Sequence, residues 1–215
     1  MPELNFQFEG VEVARYATAP LLLFKLRVRN VTPNDDIQNV ALQCQIQIET
    51  VRRAYTPAEQ EQLLELYGEP ERWSSTLRNL LWTHANVTVP PFEKSCVVDV
   101  PVPCTYDFNV AAAKYFYGLE GGVVPLLTLF SGSIFYREES GGLQVSPISW
   151  NKEAGFQFPV KVWKDMMEHY YPNSAWLRVR KDAFDRLYQY KIRRGFPTWE
   201  EALESLLDAE EERVS

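Results

Sequence analysis

The spacing of apolar residues changes partway along the chain. From Leu4 to about Trp150 they mostly alternate with polar residues, which is typical of strands with one buried face. From Pro159 onward they recur every three or four residues, as on amphipathic helices. The pattern predicts an α+β protein with an antiparallel β-sandwich domain over residues 1–158. A C-terminal helical segment over residues 159–215 is expected to pack on the sandwich.

The first part of the chain contains about seven predicted strands. The clearest covers residues 40–48, where apolar side chains alternate with Asn and Gln. A turn-rich segment, 32–36, precedes it, so we expect this strand to lie beside the strand at 22–28. The almost continuous apolar run at 123–136 predicts a central strand buried on both faces. A last strand is predicted over 143–150.

Prolines and helix caps indicate the position of one strand and the start of an inserted helix. Pro101 and Pro103 place the strand around residue 100 at an edge or at a strand end. Thr56 and Glu59 form a capping box that starts a short inserted helix, and a second insert is expected over 109–119. Seven short antiparallel strands with helical inserts fit an immunoglobulin-like sandwich best. A β-barrel is the alternative.

Three amphipathic helices are predicted after Pro159, beginning near Pro159, Lys181 and Thr198. Each needs something to cover its apolar stripe. The simpler interpretation is that they pack on the sandwich or on each other. The alternative is that the last helix docks onto a partner protein through Trp199, Ala202, Leu203, Leu206 and Leu207.

Composition and charge narrow the functional classes. The 215 residues are 46% hydrophobic with a net charge of -7, which argues against a general nucleic-acid-binding surface. No apolar stretch reaches the ~20 residues that span a bilayer. Met1 leads almost directly into strand-like sequence, so we expect no secretion signal. Three cysteines make a poor disulfide framework, and a cytoplasmic location is the default expectation.

Motifs for chemistry are sparse. The two histidines, His84 and His169, lack metal-site spacing, and no nucleophile or phosphate-loop motif occurs. The sequence therefore predicts no metal, no cofactor and no catalytic residue. Weak candidates for a site are His84, Arg72, Trp73 and Asp107. His84 could act as an acid, base or ligand, and Asp107 could join other loop carboxylates at one end of the sandwich around a cation.

Two pairs of adjacent residues that contain arginine allow more than one interpretation. Arg72-Trp73 and Arg52-Arg53 could bind a carboxylate or an acidic partner. An arginine packed on Trp73 is equally an ordinary contact within a fold.

Several strings together resemble a known family. They are VALQCQI (40–46), GEPERW (68–73), LWTH (81–84), VPVPCTYDF (100–108), AAAKY (111–115) and FPTWE (196–200). The chain resembles, along nearly its whole length, uncharacterised bacterial proteins often encoded in gene clusters with nickel–iron uptake hydrogenases. The resemblance implies accessory, maturation or assembly work and supplies no site residues.

The resulting hypothesis is a non-enzymatic cytoplasmic accessory protein. Its partner would be another protein, such as a hydrogenase subunit or a maturation factor. The alternative hypothesis is a small-ligand or metal-dependent enzyme with a site on sandwich loops near His84.

Overall fold

The computed structural model describes residues 2–32, 36–105, 110–137, 141–174 and 179–214. Within these ranges the chain forms eight strands and seven α-helices. They belong to two compact units, Met1–Ser174 and Ala175–Ser215. The predicted α+β class, with antiparallel sheets and C-terminal helices, is confirmed.

All eight strands lie in the first unit and form two antiparallel sheets. One sheet has the order β1-β2-β5, and the other has the order β4-β3-β6 with β7 and β8 both paired to β6. The strands are β1 (Leu4–Val13), β2 (Leu21–Asn30), β3 (Asp36–Ile48), β4 (Leu80–Val89), β5 (Ser95–Pro103), β6 (Val123–Arg137), β7 (Leu143–Pro147) and β8 (Glu153–Pro159).

The eighth strand corrects the expectation of about seven. β7 pairs with residues 133–137 of β6, and β8 pairs with residues 123–129. Both occupy the same edge of β6 because β3 occupies the other edge. β8 escapes the pattern analysis because its buried face begins with Ala154, beside Gly155, and its alternation is therefore weak.

Two further strand predictions are corrected. β2 and β3 are not neighbours, since each belongs to a different sheet and the connection between them joins the two layers. β6 is central, as predicted, but only alternate residues such as Val124, Leu126 and Phe130 are fully buried. Its other face is partly exposed, so a run of apolar residues did not mean burial on both sides. The edge position of β5 is confirmed.

The two sheets meet at a cluster of aromatic rings. The ring of Phe24 on β2 is almost fully buried, and its centroid lies 5.7 Å from Phe8, 5.9 Å from Trp82 and 5.8 Å from Phe158. A fourth ring, Phe156, is 5.7 Å away. Because these partners come from β1, β4 and β8, the side chain of Phe24 packs against both sheets at once.

The helices are of two kinds. The inserts are α1 (Pro57–Gln62), α2 (Leu64–Tyr67), α3 (Trp73–Thr76) and α4 (Val110–Tyr117), and short 3₁₀ turns occur at Thr50–Arg52 and Pro70–Arg72. The predicted capping box at α1 is confirmed, because the Glu59 amide donates to Thr56 Oγ1 and the Thr56 amide donates to Glu59 Oε2. After the strands follow α5 (Val160–Tyr170), α6 (Lys181–Arg194) and α7 (Trp199–Val214).

Helix α5 belongs to the first unit. It buries Val160, Trp163 and Met166, and its Trp163 ring stacks 5.6 Å from Phe116 of α4. The division between units therefore falls after residue 174, whereas the sequence pattern placed it after residue 158. The helical spacing that begins at Pro159 shows where the local structure changes. The contact between Trp163 and Phe116 keeps α5 in the first unit.

A buried ion pair attaches the first insert. The guanidinium of Arg53 donates to both carboxylate oxygens of Glu59 at 2.8 and 2.7 Å, and also to the carbonyls of Gly121 and Val123. Glu59, which is 2% exposed, accepts a further bond from the Glu120 amide. Burial raises the pKa of the Glu59 carboxyl, but these donated bonds outweigh it and hold the pKa below its usual 4.5.

The second unit is a helical hairpin of α6 and α7. Gly195, with φ +73°, ends α6 in the left-handed region, as its sequence position predicts. Lys191 Nζ then donates to the carbonyls of Phe196 and Pro197, both at 2.8 Å. Ser205 Oγ on α7 lies 2.9 Å from the Tyr190 hydroxyl on α6. Polar contacts therefore fix the turn between the two helices.

Replacing Glu59 by Gln is expected to destabilise the first unit by about 3 kcal/mol. The substitution leaves the buried Arg53 guanidinium without its anionic partner. The free energy of unfolding, measured by urea titration, tests this. The matched control is Glu65→Gln, which removes the exposed pair with Lys114 and should change that free energy by less than about 1 kcal/mol.

The cost of Glu59→Gln is also expected to depend on pH. A carboxyl whose pKa is lowered on folding stabilises the protein above its unfolded pKa, and this contribution is lost as the pH falls through the folded value. The difference in unfolding free energy between wild type and Glu59→Gln should therefore be constant near neutrality and shrink below about pH 4.5. A difference that stays constant down to pH 2 would contradict the assigned ion pair.

Phe24→Ala is expected to cost about 4 kcal/mol of unfolding free energy, because it leaves a cavity between four aromatic partners. Tyr117→Ala removes an exposed ring from the same unit and should cost less than about 0.5 kcal/mol. Urea denaturation followed by tryptophan fluorescence measures both. Equal costs for the two variants would show that Phe24 does not join the sheets as described.

Candidate functional site

The sequence-predicted site residues have different surroundings. His84 is exposed on β4, opposite Gln45 of β3. Arg72 is exposed at the start of α3. Asp107 lies outside the described residues. Among the residues that the structure describes, no hydrogen bond or ion pair joins the side chain of His84 to that of Arg72, and their role as a site stays a prediction.

Trp73 has a packing role. Its side chain is only 9% exposed, and its Nε1 donates to the Gly68 carbonyl at 2.8 Å. The rings of Tyr55 and Tyr67 meet it edge to face at 5.2 and 5.9 Å. The indole therefore holds the insert containing α2 and α3 together. Arg52 and Arg53, the other arginines considered for carboxylate binding, already bind the carboxylates of Glu49 and Glu59.

The thiols are not activated. Burial raises the pKa of Cys44 to about 12 and raises that of Cys104 as well. Burial also raises the pKa of Cys96, which the nearby Arg27 partly opposes. A nucleophilic thiol needs a lowered pKa. In the described ranges no three His, Cys, Asp or Glu side chains are grouped so as to hold a metal ion.

A groove of about 960 Å³ lies between the end of β1 and helix α5. Its apolar surface comes from Val11 and Val13 on the strand and from Val162 and Met166 on the helix. The Tyr170 hydroxyl donates to the carbonyls of Ala14 at 2.7 Å and Ala17 at 3.1 Å, which ties the β1–β2 connection to α5. The polar rim consists of Glu12, Arg15, Tyr16, Asp165 and His169.

The hairpin carries a second apolar surface, which we call the apolar stripe. On α6, Phe184, Tyr188 and Ile192 are spaced four residues apart and share one side of the helix. These and three leucines of α7 are between 38% and 64% exposed. The full set is Phe184, Tyr188, Ile192, Leu203, Leu206 and Leu207.

The stripe is locally ordered by aromatic contacts. Phe184 stacks on Tyr188 at 6.2 Å, and both rings tilt against Trp199 of α7 at 5.3 and 6.1 Å. Among the residues of this unit that the structure describes, Ala202 is the buried one, at 1% exposure. The sequence located the stripe of α7 correctly, because its period is helical. The solvent exposure of these side chains depends on tertiary packing, which the helical spacing of the sequence does not determine.

None of the helices in the described ranges is long and apolar enough to cross a membrane. Two surfaces of the described residues are considered below for recognition, the groove on the first unit and the apolar stripe on the second. The groove combines apolar walls with a charged rim, and the stripe is apolar, so their chemistry is that of binding by shape, apolar contact and charge.

Comparisons with known proteins identify a family but no activity or site. No curated protein matches the chain. One similar solved structure, described as a late embryogenesis abundant protein, has 15% identity and a TM-score of 0.32, covering 74% of this chain and 73% of the other. Another, described as ApaA from Bordetella pertussis, has 9% identity and a TM-score of 0.23, covering 73% and 93%. At these TM-scores neither supports a conclusion about function.

The sequence match to a protein family is complete. It extends over residues 1–215, and the family is described as one of unknown function. The chain therefore belongs to the family DUF6084.

Proposed function

We propose that this protein is a non-enzymatic accessory or assembly protein that acts by binding another protein. The observation that carries the proposal is the exposed apolar stripe of the C-terminal hairpin. Six large apolar side chains on two adjoining helices are partly open to solvent. Several exposed apolar side chains on neighbouring helices are typical of an interaction site, whereas apolar residues scattered singly are not.

The size of the hairpin supports the proposal. Two helices can cover only the sides that face each other, and α6 has no fully buried residue. Units below about 40 residues rarely bury enough surface to be stable alone. Completing the burial of the stripe would contribute roughly 1 kcal/mol for each large side chain, since each is already about half covered. A partner that covers the stripe would stabilise the hairpin and the complex together.

Charge restricts the partner. α7 carries seven acidic residues and one arginine, with Glu210 near Arg213 at 3.8 Å. The end of α6 is basic, with Lys191, Arg193 and Arg194. We infer that the partner presents an apolar surface bordered by basic residues where it meets α7, because complementary charge guides orientation and excludes wrong partners.

The partner's identity is proposed from the sequence resemblance. A hydrogenase subunit or a hydrogenase maturation factor, in the cytoplasm, is the class that the resemblance implies. This class is supported by an association between genes, which identifies no contact residue. The apolar stripe is proposed as the binding surface on physical grounds that do not depend on that association.

We also propose that the two sheets form an immunoglobulin-like sandwich. The strand orders β1-β2-β5 and β4-β3-β6-β7 support this, because they place the first, second and fifth strands in one layer and the third, fourth, sixth and last in the other. In this interpretation β7 and β8 are two halves of one final strand, since they follow each other along a single edge of β6.

The double substitution Leu206→Ala/Leu207→Ala is expected to abolish capture of the partner. Affinity capture from the native host, using the full chain as bait and quantitative mass spectrometry, should recover at least about tenfold less partner than wild type. The control is Asp208→Ala, which lies on the opposite side of α7. The leucines are exposed, so neither variant should change the unfolding free energy by more than about 1 kcal/mol.

Three outcomes would contradict the proposal. The first is capture that is unaffected by loss of both leucines. The second is a concentration-dependent dimer of the purified chain that the same variant dissociates, since the stripe would then be a self-contact. The third is stoichiometric nickel or iron in the purified chain, which would support the alternative of a metal-dependent enzyme.

A further inference from the structure

We propose a second binding site on the first unit: the free edge of β1, which accepts an extended, acidic peptide segment of a partner protein in the groove against α5. The site goes beyond the proposed function, because it lies on a different unit and recognises a different shape. The argument rests on backbone geometry, on the lining of the groove and on the charge of its rim.

The backbone of β1 offers unpaired hydrogen-bonding groups. β1 pairs with β2 and ends its sheet, so none of the eight strands that the structure describes pairs with its other edge. The Ala14 amide donates to the carbonyl of Leu21, the first residue of β2, at 2.9 Å. Backbone groups alternate in direction along an antiparallel strand. The amides and carbonyls of Val11 and Val13 therefore point away from β2, toward the groove.

Helix α5 forms the opposite wall. Val162 is partly exposed there, and Met166 beside it is fully buried below. A free strand edge next to an apolar helix face is the arrangement in which peptides add as an extra strand. Main-chain hydrogen bonds supply affinity in this mode, and alternate side chains of the peptide enter the groove.

The dimensions of the groove fit such a segment. The wall opposite α5 runs from Val11, near the end of β1, to Ala17 in the connection that follows. A peptide of about five residues, the usual length of a strand, spans roughly 17 Å. A volume of about 960 Å³ leaves room for such a segment.

The charge of the rim selects an acidic peptide. Asp165 is paired with Lys161 at 2.6 Å, and Glu12 and Asp99 share Lys25 at 2.5 and 2.8 Å. Arg15 on the rim has no ion pair within the described ranges. Arg15 is therefore the cation of the rim that is left to bind a carboxylate of the peptide. A guanidinium binds a carboxylate through parallel hydrogen bonds, which adds geometric selectivity.

The experiment selects ligands without assuming a partner. The full chain is used to select from a display library of random peptides of about eight residues. Enriched peptides are expected to alternate apolar residues and to carry an acidic residue. Their affinity for the chain is then measured by fluorescence anisotropy, and amide exchange of Val11 and Val13 is followed by NMR.

Two pairs of variants test the two parts of the site. Val13→Pro removes the outward amide without breaking the ladder to β2, and should weaken the selected peptide about tenfold. Val13→Ala loses similar side-chain volume but keeps the amide, and should bind within about threefold of wild type. Arg15→Glu should weaken binding about tenfold, while Arg15→Lys retains most of it.

The outcomes separate clearly. Slower exchange of the Val11 and Val13 amides on binding, together with the expected variant effects, supports the site even if Val13→Pro proves unstable. Failure to enrich any peptide, enrichment of basic peptides, or unchanged binding to Arg15→Glu overturns it. So does self-association of the chain through this edge. Because the apolar stripe is untouched in all four variants, these results do not bear on the proposed function.

Discussion

The contact of one aromatic ring with four others determines how the first unit is assembled. Phe24 on β2 touches Phe8, Trp82, Phe156 and Phe158, and it thereby joins the sheet of β1, β2 and β5 to the sheet built on β3 and β6. The same cluster continues through Phe116 to Trp163, which seats α5 on the strands. The groove beside β1 exists because α5 is anchored in this way, alongside a strand edge that none of the described strands occupies.

The buried ion pair of Arg53 and Glu59 attaches the first inserted helix to the strands. It connects the start of α1 to the loop that precedes β6, through the carbonyls of Gly121 and Val123. Both charges have their hydrogen bonds satisfied, which is the condition under which a buried pair is tolerated. The inserted helices are therefore part of the framework, and Arg53 binds a carboxylate of its own chain. The surfaces proposed for recognition are the groove and the apolar stripe.

Periodicity predicted the elements well and their assembly less well. The capping box of Thr56 and Glu59, the edge position of β5 and the end of α6 at Gly195 follow from local chemistry, which a sequence contains directly. The layer to which β3 belongs, the pairing of β8 and the attachment of α5 depend on contacts between residues far apart in the chain. The stripe of α7 was identifiable from its spacing, but the groove was not, since its walls come from residues more than a hundred positions apart.

The central claim is that the hairpin of α6 and α7 presents a surface that another protein covers. Hydrogen–deuterium exchange of the purified full chain tests it most directly, because helices without cover open easily and exchange fast. The account predicts rapid exchange in 181–214 for the free chain, in contrast to slow exchange in β3, and strong protection once the captured partner is bound. Protection of 181–214 equal to that of β3 in the monomeric free chain would contradict it.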